Sequence, residues 1–141
     1  MIKPIIAFLI KREYFAYLLF LACTAILLLL TLLPPDNLSG PSLFQYDKAG
    51  HFLMFFGWTF MLGLSRIIRK KQSIRLWVVF LLGALFGIAI EVTQGLLPYD
   101  RSPGFYDVIA DLVGSFFAVF LLRYIQTNLP GLIKKSKSSI K

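Results

Sequence analysis

The sequence predicts an all-α polytopic membrane protein, a bundle of four transmembrane helices with both termini in the cytoplasm. Hydrophobic residues make up 57% of the 141 positions and charged residues only 16%. With a mean hydropathy of +0.74, the chain is too apolar for an ordinary soluble domain. Four apolar runs, each long enough to cross a hydrocarbon core of about 30 Å, are separated by polar stretches. The charges are also sorted along the chain. Thirteen of the fifteen basic residues fall at the N-terminus (Lys3, Lys11, Arg12), in one central loop (Arg66, Arg69, Lys70, Lys71, Arg75) or towards the C-terminus (Arg123, Lys134, Lys135, Lys137, Lys141). Lys and Arg are retained on the cytoplasmic side of a membrane, which assigns these zones inward. Six of the seven acidic residues belong to the intervening stretches, whose loops then face outward.

Residues 1–13 read as a cytoplasmic and interfacial N-terminus, since the apolar piece Pro4 to Ile10 is too short to cross. The transmembrane domain, residues 14–125, opens with a span at about 14–33 that Pro34 and Pro35 stop sharply. Although Phe20 to Cys23 resembles a lipoprotein processing site, the apolar run continues to Leu33, as in an uncleaved helix. A second span, about 47–68, is closed by the basic loop, and a third, about 76–97, ends at Pro98. The fourth covers about 106–125 and leads into a basic cytoplasmic tail, 126–141. Tyr14, Tyr17 and Trp77 fall near the inner boundary, with Tyr46, Tyr99 and Tyr106 near the outer one, as interfacial aromatic belts require.

The net charge of +8 does not imply nucleic acid, because basic residues that flank apolar spans are an ordinary topology signal. A single cysteine, Cys23, excludes an intramolecular disulfide and a cysteine-cluster metal site.

Polar residues within the spans carry the functional signal. Asp47 and Asp107 sit where the second and fourth helices begin, as N-caps or as parts of a site. His51 lies one turn below Asp47 and Asp111 one turn below Asp107. In the third span Gly83, Gly87, Glu91 and Gly95 recur at intervals of four, a stripe that lets helices approach and turns Glu91 inward. Gln94 is the helical neighbour of Glu91, and Lys48 and Arg101 stand at the mouth. Ionisable groups inside a membrane are costly, so Asp47, Lys48, His51, Glu91, Gln94, Arg101, Asp107 and Asp111 form the candidate ligand-binding set. A structural network of interhelical hydrogen bonds is the competing account.

The ordered set Asp47-Lys48-x-x-His51, Phe52, Phe55, Glu91-x-x-Gln94, Pro98, Arg101, Asp107 and Gly114 resembles the VanZ-like family of small bacterial membrane proteins, over about residues 43–125. One departure is Asp111, where the family usually has Asn. The resemblance implies a multi-pass protein of the bacterial cytoplasmic membrane, a role in the cell envelope and resistance to teicoplanin-type glycopeptides, with no defined reaction.

Three chemistries fit the candidate set. The first is binding of a lipid-linked or amphiphilic anionic ligand, such as an envelope precursor, with Lys48, Arg101 and the helix N-termini supplying positive potential. Second is an intramembrane transferase or hydrolase with His51 and Glu91 as acid and base and Asp47 orienting the imidazole; no nucleophile or phosphate-loop motif accompanies it, and enzymatic activity stays open. Third, His51, Glu91, Asp107 and Asp111 are potential metal ligands that suit Mg²⁺ or Mn²⁺ better than a structural zinc, although no cofactor is required. The expected partner is membrane lipid or a lipid-linked precursor, and a homodimer is compatible with so small a bundle.

Overall fold

The computed structural model describes residues 12–32, 47–97 and 104–138, with side-chain detail over 12–32, 48–97 and 104–128. These residues form four helices, α1 (Glu13–Leu32), α2 (Asp47–Lys70), α3 (Leu76–Leu96) and α4 (Phe105–Ser138). Each contains a stretch long and apolar enough to cross a membrane, so the chain is a multi-pass, all-helical membrane protein. No strand occurs among the described residues.

Chain direction alternates from one helix to the next. Ala16 near the start of α1, Ile67 and Ile68 near the end of α2, Val79 near the start of α3, and Leu122 and Ile125 of α4 form one apolar cluster. At the other end of the bundle, Thr31, His51, Gln94 and Asp111 come from the opposite ends of the same four helices. Between these ends, Leu27, Phe55, Trp58 and Ile90 form a second apolar cluster. There Trp58 stacks on Phe86 with ring centroids 4.4 Å apart, and its indole N–H donates to the Thr24 hydroxyl of α1 at 3.0 Å.

The turn after α2 is set by Lys71, whose φ of 52° is left-handed. A residue in that conformation commonly stops a helix; the Lys71 N–H still reaches the Ile67 carbonyl at 2.9 Å. The turn is then fixed from across the bundle. The Gln126 side chain of α4 accepts from the Ile74 N–H and donates to the Ile74 carbonyl, each at 3.2 Å.

The most extensive packing joins α2 to α4, while α1 rests on α2 and lightly on α3. Glycines make these approaches close. A Cβ on Gly114 of α4 would run into the Phe52 carbonyl of α2, and one on Gly87 of α3 would lie 2.9 Å from Asp111 Oδ2. Gly83 and Gly87 are buried as the stripe predicts, but Gly95 is exposed: the packed face of α3 extends to Gln94 and no further.

Helix α4 continues past the end expected near Ile125 to Ser138. Its apolar portion spans Phe105–Asn128. Loss of hydrophobicity ends the span without ending the helix, which runs on through Pro130 and Gly131.

The surface is apolar and the interior holds the polar groups. Leu53, Trp77, Leu85, Phe105 and Phe120 are exposed, whereas Thr31, His51, Thr59, Glu91, Gln94, Asp111 and Ser115 are buried. Such an exterior is unfavourable in water and matched to lipid.

Candidate functional site

The bundle interior is built from helical faces that repeat every four residues. His51, Phe55 and Thr59 follow one another down α2, Gly83, Gly87 and Glu91 line α3, and Asp111 and Ser115 lie on α4. Where Gly83 clears space, the hydroxyls of Thr59 and Ser115 meet at 2.9 Å. One turn nearer the end of the bundle, Gly87 clears the same space for the larger Asp111. The small residues of α3 thus admit polar side chains from α4.

At that level His51 Nδ1 lies 3.0 Å from Asp111 Oδ1 and 3.7 Å from Glu91 Oε1. All three residues are buried, with relative exposures of 5% for His51, 4% for Glu91 and 1% for Asp111. Glu91 Oε2 accepts the backbone N–H of Gly104 at 2.9 Å, a bond from the residue that precedes α4. This N–H has no helical partner of its own, so Glu91 meets the partially positive end of α4.

The acceptors of the cluster exceed the donors reaching them. Among the described residues, Glu91 Oε1, Asp111 Oδ2 and Asp107 Oδ1 are buried and receive no hydrogen bond. Buried acceptors left this way are expensive, and two of them belong to the carboxylates beside one imidazole. The arrangement is therefore suited to an incoming donor or cation.

Of the eight residues singled out from the sequence, the structure brings His51, Glu91 and Asp111 together. Gln94 is buried but directed elsewhere: its Nε2 donates to the Thr31 carbonyl at 2.8 Å and ties α3 to α1. Asp107 lies in the first turn of α4, after the helix has begun at Phe105, so it is not the N-cap. Its carboxylate is half-buried beside Gly104 and interacts electrostatically with His51, Glu91 and Asp111. Lys48 is exposed on the first turn of α2. The side chain of Asp47 and all of Arg101 lie outside the described residues, and the group seen at His51 Nδ1 is Asp111.

Sequence reasoning passed over three supporting groups. Thr59 lies two turns from His51 with its hydroxyl on Ser115, and the i, i+8 spacing to His51, two steps of four along one face, was the available signal. Gly104 was not singled out, although the N–H groups at the start of a helix lack helical partners and are free to donate. Gln126 carries no motif, and only the three-dimensional path of the α2–α3 turn reveals its role.

The family model described as VanZ/LLP1 matches residues 6–126. No curated protein and no solved structure matches the chain.

Proposed function

The chain belongs to the VanZ/LLP1 family, and on that premise we propose that it binds a lipid-linked or amphiphilic anionic ligand at the His51 end of the bundle. In this reading it is a multi-pass protein of the bacterial cytoplasmic membrane, that end faces outward, and binding contributes to resistance against teicoplanin-type glycopeptides. The observation that carries it is the buried meeting of His51, Glu91 and Asp111 with acceptor oxygens left over. A head group rich in hydroxyl or amide N–H donors would satisfy them. Its anionic part would meet exposed Lys48 and the N-termini of α2 and α4, which lie at the same end. The apolar helix exteriors supply the wall for a tail.

A second reading rests on the 3.0 Å pairing of His51 with Asp111, which would orient the imidazole for acid or base work in an intramembrane transferase or hydrolase, with Glu91 as the other proton carrier.

Mass spectrometry of protein released from membranes in native nanodiscs tests the binding. The expected spectrum shows a discrete anionic amphiphile retained by wild type and depleted from Glu91→Gln. Only the bulk lipids of the membrane, in equal proportion on both proteins, would contradict it.

A further inference from the structure

We propose that His51, Glu91 and Asp111 hold a divalent cation within the membrane, of the class that accepts mixed nitrogen and carboxylate ligands, Mn²⁺ or Zn²⁺. One donor atom from each of the three lies within 4.8 Å of the others. The separations of 3.0 Å and 3.7 Å from His51 Nδ1 to the two carboxylates are close to what neighbouring ligands show around one small ion. At metal–ligand distances near 2.1 Å, such ligands lie about 3.0 Å apart in an octahedron and roughly 3.4 Å apart in a tetrahedron. The two carboxylates need only draw together around the ion.

Independent of the spacing, Glu91 Oε1 is buried, lies on the His51 side of the cluster and takes no hydrogen bond from any described residue; Asp111 Oδ2 is likewise without a donor. The local charge is also compatible with a cation. Ionised together beside a neutral imidazole, the two carboxylates carry −2 in an apolar setting, a charge that must be cancelled by protons or by a cation, and one divalent ion suffices. Binding requires His51 to offer Nδ1 as a lone pair, with its ring proton on Nε2, and both acids to be ionised.

The donor types narrow the ion. Ca²⁺ takes six to eight oxygen ligands and Mg²⁺ prefers oxygen and retained water, while imidazole with carboxylates suits Mn²⁺ and Zn²⁺. Three protein ligands leave coordination positions open. An anionic head group could occupy one, with the ion supplying positive charge beside the two carboxylates. The ion itself does not depend on the amphiphile reading, because no amphiphile enters its test.

The full chain, purified with a non-histidine tag, is stripped with chelator and titrated with Mn²⁺ alone by electron paramagnetic resonance, then with Zn²⁺ as competitor. The expected result is one Mn²⁺ per chain, displaced by Zn²⁺. Asp111→Asn and Glu91→Gln, which preserve shape, should each weaken binding by more than the roughly 10–100-fold typical of an outer-shell change. Saturating Mn²⁺ should raise the melting temperature of wild type and leave that of the variants unchanged. Wild type that is helical and monodisperse yet binds neither ion at millimolar concentration would overturn the proposal, whatever the variants do. Undiminished binding by both folded variants would overturn it as well.

Discussion

A buried carboxylate in a membrane is defined by what reaches its two oxygens, and Glu91 is asymmetric in this respect. Oε2 takes the Gly104 N–H while Oε1 takes none from the described residues, so one half of the group serves architecture and the other remains available. Gln94, one turn away, has both burial and a backbone partner, the Thr31 carbonyl. That contrast predicts different mutational behaviour. Gln94→Leu should lower stability by about 1 kcal/mol, as for other interhelical hydrogen bonds in membranes, while leaving ligand retention at the wild-type level. Thermal unfolding in detergent, set beside native mass spectrometry, would check it; loss of ligand at unchanged stability would return Gln94 to the site. The spacing of α3 showed that both side chains turn inward, since helical period determines direction. It did not show which one meets the cluster, because that depends on how α1 ends.

Between elements, the controlling contact is that of α2 with α4. Gly114 lies three residues after Asp111, and Phe52 follows His51 directly. The absence of a Cβ at Gly114, which would strike the Phe52 carbonyl, is therefore what allows His51 to come within 3.0 Å of Asp111. Gly114→Ala must push apart two backbones, because the obstructing atom is not on a flexible side chain. We expect a loss of about 1–3 kcal/mol, as for other overpacked interiors, together with loss of ligand binding in the protein that remains folded. Unchanged stability and binding would show that the approach is not limiting. The small-residue pattern made this face legible in advance for Gly83 and Gly87, which are packed against polar groups of α4. It failed at Gly95, which is exposed: periodicity continues along a helix even where no neighbour remains to bury it. Helix α4 runs on beyond the span expected to end near Ile125, since hydropathy reports the apolar stretch and not where the helix stops.

For the whole molecule, apolar length and composition account for the four spans, and alternating chain direction puts the His51 cluster and the basic α2–α3 turn at opposite ends. The distribution of Lys and Arg predicts which end lies in the cytoplasm. A reporter fused after Lys141 should therefore behave as cytoplasmic and one inserted at Gly40 as external; the reverse would place the cluster on the inner side and remove the outward-facing ligand reading. That the cluster serves a function, and is not merely interhelical glue, is tested most directly by Glu91→Gln, which keeps the shape and most of the hydrogen-bonding capacity of the side chain. Glycopeptide tolerance, expression level and thermal stability are measured together in cells that depend on this protein. Lost tolerance at wild-type expression and stability is the expected result. Full tolerance in an equally stable, equally expressed Glu91→Gln protein would contradict it.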